Sequence, residues 1–93
     1  SKIDNFSLLT LKLSISSPIN IFFAYHGRTI IILGDQFMTF SNLVKIFYAK
    51  ANISNNTNNN VFLFSSSTID PDSNKLLKDL NIKNQSKIEF HAN

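Results

Sequence analysis

The sequence has no cysteine, no tryptophan, two glycines and two prolines among its 93 residues. The absence of cysteine excludes disulfides, cysteine-ligated zinc and a thiol nucleophile, and it suits a reducing compartment. Two glycines are too few for a glycine-rich phosphate loop. No apolar run approaches the roughly 20 residues of a membrane span, and the N-terminal apolar residues alternate with polar ones, unlike a signal peptide. We therefore expect an intracellular protein, cytoplasmic or nuclear, without a membrane span.

The chain has only a small excess of positive charge. Nine basic and six acidic side chains give a formal net charge of +3. This excess is far below the dense basic stripe expected of a nucleic-acid-binding protein. The C-terminal lysines are interspersed with acidic residues, which is typical of a solvated surface. Nucleic-acid binding is therefore the weaker alternative, and it would require an affinity that falls steeply with added salt.

The segment Thr39–Ile53, TFSNLVKIFYAKANI, carries a helical pattern. Its apolar residues recur at the spacing of one helix face; they are Phe40, Leu43, Val44, Phe47 and Ala51. Thr39 is a good N-cap, and Asn52 can adopt the left-handed conformation that ends a helix. A single amphipathic helix needs a sheet against which to bury this stripe.

Strand patterns flank the helix on both sides. Alternating apolar residues predict an N-terminal strand, and two β-branched and aromatic runs joined through Gly27 predict a hairpin. A polar, asparagine-rich stretch, Ser54–Asn60, predicts a mobile surface loop. The predicted strands are Leu9–Ile15, Ile19–Tyr25, Thr29–Leu33, Val61–Phe64, Thr68–Ile69 and Lys87–His91, with a short helical turn over Leu76–Ile82 that ends at Asn84–Gln85.

From Ile21 onward this order resembles the β-grasp fold of ubiquitin. The segment IFFAYHGRTIIIL resembles the first hairpin of the family, TFSNLVKIFYAKANI its helix, VFLF its third strand and KDLNIKNQSKIEF its closing segment. The resemblance implies an α+β fold in which a mixed sheet packs on one main helix. Residues 19–93 would form the ubiquitin-like domain, and residues 1–18 would be an extension that we expect to contain the extra strand.

The chain departs from the family in its functional features. The sequence stops at Asn93, about where the diglycine tail used for conjugation would begin, so we expect a domain without that tail. The apolar patch by which ubiquitin is bound maps to His26, Leu63 and His91, of which only Leu63 is apolar. Most chain-linking lysines are also replaced, although Lys50 remains. The resemblance therefore implies a non-conjugated domain and gives no reason to expect binding to ordinary ubiquitin receptors.

Strand alternation places three apolar side chains on the side of the sheet that faces away from the helix. They are Phe22, Ile31 and Leu33, and the family register makes Phe22 and Ile31 cross-strand neighbours. Full burial of each side chain is worth about 1.5–3 kcal/mol. Either the N-terminal strand covers this surface, by pairing with the edge of the sheet or folding across its face, or a partner protein does. Homo-oligomerisation through the N-terminal strand is a further possibility.

The sequence offers no set of residues for catalysis. His26, His91 and Glu89 would lie on one sheet surface, and such a trio can hold zinc, but exposed histidines at a partner surface are far commoner. Asp70 and Asp72 flank a proline, where aspartate favours a turn. We therefore expect no enzyme activity, no cofactor and no metal site.

The sequence thus predicts a non-conjugated ubiquitin-like domain that binds partner proteins through its sheet surface. The predicted contact residues are Phe22, Ile31, Leu33, His26, Leu63 and His91. The alternative is a small structural or accessory subunit of a larger assembly, whose apolar face would be covered permanently.

Overall fold

A computed structural model describes residues 18–53 and 60–91 of the chain. The predicted N-terminal strand and residues 54–59 of the asparagine-rich stretch lie outside these ranges. The elements are β1 (Pro18–Tyr25), β2 (Arg28–Asp35), α1 (Phe40–Ala51), β3 (Val61–Phe64), β4 (Ser67–Ile69), a 3₁₀ helix (Leu77–Leu80) and β5 (Ser86–His91). The boundary between an extension, residues 1–18, and a domain, residues 19–93, stays a prediction, and β1 begins at Pro18.

The strands form one mixed sheet in the order β2-β1-β5-β3-β4. β1 pairs in parallel with β5, and the other three pairings are antiparallel. The first hairpin turns through His26 and Gly27, whose φ angles are 50° and 73°. Positive φ at both positions matches the right-handed twist of the strands, and glycine adopts it without strain. The connection is therefore shorter than the predicted one, because Arg28 already belongs to β2.

The helix α1 has the predicted caps. The Thr39 hydroxyl oxygen accepts a hydrogen bond from the Asn42 backbone N–H at 3.3 Å. Asn52 is left-handed, with φ of 59°, and its N–H points to the carbonyl oxygens of Tyr48 and Ala49. These contacts satisfy backbone groups that a helix end otherwise leaves unpaired. Within the described ranges, no helix is long and apolar enough to cross a membrane.

An aromatic cluster joins α1 to the inner face of the sheet. The Phe47 ring stacks on Phe23 with centroids 4.3 Å apart, and it meets Phe90 edge-on at 5.0 Å. Other apolar residues on the inner face of the sheet are also buried, namely Ile21, Ile32, Phe62 and Ile88, and Ile30 is half-buried. A mixed sheet packed on one helix confirms the predicted α+β class and β-grasp architecture.

Three local predictions are wrong. Asn60 was predicted to lie in the surface loop, but it is 9% exposed and its Nδ2 donates to the Tyr48 hydroxyl at 3.0 Å. The helical turn ends earlier than the predicted Asn84–Gln85, because the 3₁₀ helix stops at Leu80 with Asn81, at φ of 64°, as its C-cap; Asn84 and Gln85 form a separate turn before β5. β2 continues through Gly34 and Asp35, because Gly34 still pairs with β1.

Candidate protein-interaction face

The outer face is the surface of the sheet opposite α1. It is formed by alternate residues of each strand, because successive side chains point to opposite sides. Phe22 of β1 pairs with Ile31 of β2 on one side and with Lys87 of β5 on the other. One row along, Glu89 of β5 pairs with Ala24 and with Leu63 of β3. These registers fix which side chains share the outer face.

Three apolar side chains meet at one end of the outer face, and we call them the apolar patch: Phe22, Ile31 and Leu33. Ile31 is 49% exposed and Leu33 is 63% exposed, whereas Ile32 between them is 1% exposed on the inner face. Phe22 is half-buried. Side chains of β2 therefore alternate between the two faces of the sheet although apolar residues occupy both. The outward apolar residues form a contiguous exposed surface.

The other predicted contact residues form a second group away from the patch. Leu63 is half-buried, and the two histidines are exposed. Ala24 pairs with Glu89, and His26 and His91 each follow two residues later, so the histidines lie at the same end of the sheet. The His26 ring lies 4.2 Å from that of Tyr25. These three residues do not continue the apolar patch: β5 lies between β1 and Leu63 of β3, and each histidine lies beyond the row of Ala24 and Glu89.

The intervening residues were not predicted as contacts. Lys87 lies beside Phe22, and Glu89 lies between Ala24 and Leu63. Two strand spacings, about 10 Å, separate β1 from β3 across them. The alternating pattern of β5 is enough to predict that both charged side chains lie on the outer face. Which residues lie beside them depends on the order of the strands in the sheet. A partner that covers both groups must therefore also accommodate this charged pair.

β2 forms an edge of the sheet, with no strand on its other side among residues 18–53 and 60–91. Lys50, at the end of α1, reaches over this edge, and its Nζ donates to the Ile31 carbonyl oxygen at 2.7 Å. A cavity of about 380 Å³ lies here between strand and helix. Its lining consists of Arg28, Thr29, Ile30, Ile31, Lys50 and Ala51. Lysine at an edge is a known means of discouraging strand addition, so the sheet face is more accessible than this edge.

The alternative chemistries have little geometric support. Among residues 18–53 and 60–91, no three histidine, cysteine or acidic side chains converge as a metal site. The zinc trio considered from the sequence, His26, Glu89 and His91, is therefore not assembled. The Asp70 side chain accepts a hydrogen bond from the Asp72 N–H at 2.9 Å. This contact confirms the turn role of that acidic pair.

Comparison with known proteins supports the fold. No protein-family model matches the sequence, and no curated protein does. Among solved structures, the crystal structure of ATBAG1 in complex with HSP70 matches with a TM-score of 0.70 and 16% identity, over 81% of this chain and 40% of that chain. The ubiquitin-like domain of an Arabidopsis thaliana protein matches with a TM-score of 0.69 and 16% identity, over 81% of this chain and 77% of that chain. At this identity, the similarity establishes a ubiquitin-like β-grasp fold.

Proposed function

We propose that this chain is a ubiquitin-like domain that binds partner proteins through the outer face of its sheet. The observation that carries the proposal is the apolar patch, where Ile31 and Leu33 are 49% and 63% exposed in the middle of a regular strand. An antiparallel sheet that is exposed to solvent on one face normally carries polar residues on that face. Contiguous exposed apolar side chains of this kind mark interaction surfaces.

The energetics favour an interface larger than the patch. Full burial of an aliphatic side chain is worth about 1.5–3 kcal/mol, so the exposed parts of Ile31 and Leu33 contribute about half of that each. Association itself costs at least about 4 kcal/mol in lost freedom of motion. We therefore infer that the partner also contacts the second group, Leu63, His26 and His91, and reaches a typical area of about 800 Å² on this side.

The solved structures that resemble this chain agree with an interaction role. One of them is a complex of ATBAG1 with HSP70, in which two proteins are bound to each other. This chain spans 40% of the matched chain in that structure. The shared fold makes a protein partner the class of ligand that we propose, and it assigns no catalytic or cofactor-binding residue.

A capture experiment with matched variants tests the proposal. The wild-type chain is immobilised, and the proteins it retains from a cell extract are compared with those retained by Ile31→Thr/Leu33→Thr. Threonine keeps the β propensity of both positions and removes apolar surface. The control is Ile46→Thr, because Ile46 is 42% exposed but lies on α1. We expect the control to retain the same partner as the wild type and the patch variant to lose it. Equal retention by the patch variant, or equal loss by the control, would refute this assignment.

An accessory subunit is the second candidate, favoured by the same exposed patch. Obligate interfaces are more apolar than transient ones and remain covered throughout the life of the protein. Size-exclusion of the protein from its native source separates the two candidates. We expect a fraction that elutes alone, as a transient interaction domain does. Complete co-elution with another subunit would favour the accessory role instead.

A further inference from the structure

The centre of the outer face carries one residue of each charge. β5 is the middle strand of the five, and its outward residues Lys87 and Glu89 are both exposed. They are two residues apart, so about 7 Å of strand separates their Cα atoms. A cation and an anion at this spacing on a central strand form a surface that can complement a copy of itself.

One row of paired residues lies midway between these two charges. Ile88 of β5 pairs with Phe23 of β1, and Phe23 pairs with Ile30 of β2. The side chains of this row point to the inner face, where Ile88 and Phe23 are buried and Ile30 is half-buried. A two-fold axis laid over this row, across the strands, therefore relates the outward residues on either side of it in all three strands at once.

We propose that the partner of the outer face is a second copy of this chain, stacked face to face about this two-fold axis. Lys87 of each copy then faces Glu89 of the other, so one charge pair forms twice. The inference rests on the proposed function, which supplies the binding face, and it names the occupant of that face.

The same axis places large side chains opposite small ones. Phe22 faces Ala24 of the second copy, and Leu33 lies over its hairpin turn at Gly27, which has no side chain. Side chains of unequal size interdigitate in this way when two sheets pack about 10 Å apart. Every contact of a two-fold interface occurs twice. The exposed parts of the apolar patch are therefore buried from both copies, which helps to offset the cost of association.

The charges also select one orientation of the two copies. An axis laid along β5 instead would place Lys87 against Lys87 and Glu89 against Glu89, and like charges across an interface disfavour association. A partner of different sequence would have to supply an acidic and a basic group at the same spacing. A second copy supplies both by symmetry.

Reversal of single charges in the full chain tests this arrangement by sedimentation equilibrium. We expect the wild type to form dimers as its concentration rises. Lys87→Glu alone or Glu89→Lys alone should dimerise several-fold more weakly, because each places like charges opposite each other. The control Lys45→Glu makes the same change in net charge on α1, where Lys45 is exposed, and should dimerise like the wild type.

Two combinations should restore the dimer. An equimolar mixture of Lys87→Glu and Glu89→Lys chains pairs opposite charges and should give heterodimers, which native mass spectrometry distinguishes from homodimers by mass. The double variant Lys87→Glu/Glu89→Lys should dimerise with itself. A wild-type chain that stays monomeric at every concentration, a weakening by Lys87→Glu no greater than that by Lys45→Glu, or a mixture without heterodimers would overturn the proposal.

The outcome separates this inference from the proposed function. If the wild type is monomeric and Ile31→Thr/Leu33→Thr still loses the captured protein, the second copy is refuted and the proposed function stands. If the charge variants dimerise as expected and Ile31→Thr/Leu33→Thr retains the captured protein, the dimer stands and the capture of other proteins by this face is refuted.

Discussion

Replacement of Phe47 by alanine should remove much of the stability of the fold. Phe47 is fully buried at the centre of α1, and its ring is stacked on Phe23 with centroids 4.3 Å apart. Four further aromatic rings lie within 6.1 Å of it. They belong to Phe90, Phe62, Tyr48 and Tyr25. The ring therefore links the helix to β1, β3 and β5 together.

The expected loss is about 3–5 kcal/mol of unfolding free energy, the usual cost of truncating a buried phenylalanine to alanine. The aromatic contacts favour the upper end, because each adds about 0.5–1.5 kcal/mol beyond area burial. Alanine recovers roughly half a kcal/mol through its better helix propensity. With a urea m-value of about 1–3 kcal/mol per molar, the midpoint should fall by about 1–4 M.

Urea titration followed by circular dichroism measures this change. The control is Ile46→Ala in the adjacent position, because Ile46 is 42% exposed and its variant should stay within about 0.5 kcal/mol of the wild type. A loss below about 1.5 kcal/mol for the Phe47 variant would contradict the packing described above. Full burial of a phenylalanine ring contributes at least that much to the free energy of unfolding. An equal loss in both variants would place the two residues in similar environments and refute the predicted helix orientation.

Substitutions at three further positions test local features of the fold. Gly34→Ala should cost about 1 kcal/mol of unfolding free energy through overpacking, because the alanine Cβ would lie 3.0 Å from Ile21 Cδ1 and 3.1 Å from Met38 Sδ. Thermal denaturation measures the loss, and unchanged stability would contradict the close approach. Thr39→Ala should lose about 1 kcal/mol by removing the N-cap, while Thr39→Ser should retain most of it in the same urea titration. Asn52→Ala should cost about 1 kcal/mol, because alanine is strained in the left-handed region, and Asn52→Gly should not; equal effects of the two changes on the melting temperature would refute the capping role.

Local sequence determined the features that depend on near neighbours. Thr39 and Asn52 were predicted as caps because capping uses backbone groups within a few residues. The outward position of Ile31 and Leu33 followed from strand alternation alone. The pairing of Phe22 with Ile31 came from the resemblance to ubiquitin, and the register of β1 with β2 confirms it.

Features that depend on distant elements were missed. The hydrogen bond from Asn60 to Tyr48 joins two residues twelve apart, and nothing in a polar asparagine-rich stretch distinguishes its buried end from the rest. The contact of Lys50 with the Ile31 carbonyl oxygen requires the helix to approach the β2 edge. Likewise, the separation of Leu63 from the apolar patch depends on the position of β5 between β1 and β3.

Site-specific photo-cross-linking tests the central claim, that the outer face is a protein-binding surface. A photoreactive side chain replaces Leu33, which is 63% exposed, and in a parallel chain it replaces Ile46 on the solvent side of α1. After irradiation in a cell extract, mass spectrometry identifies the adducts. We predict a distinct adduct with a partner protein from position 33 and none from position 46. The same adduct in equal yield from both positions, or one from position 46 alone, would contradict the claim.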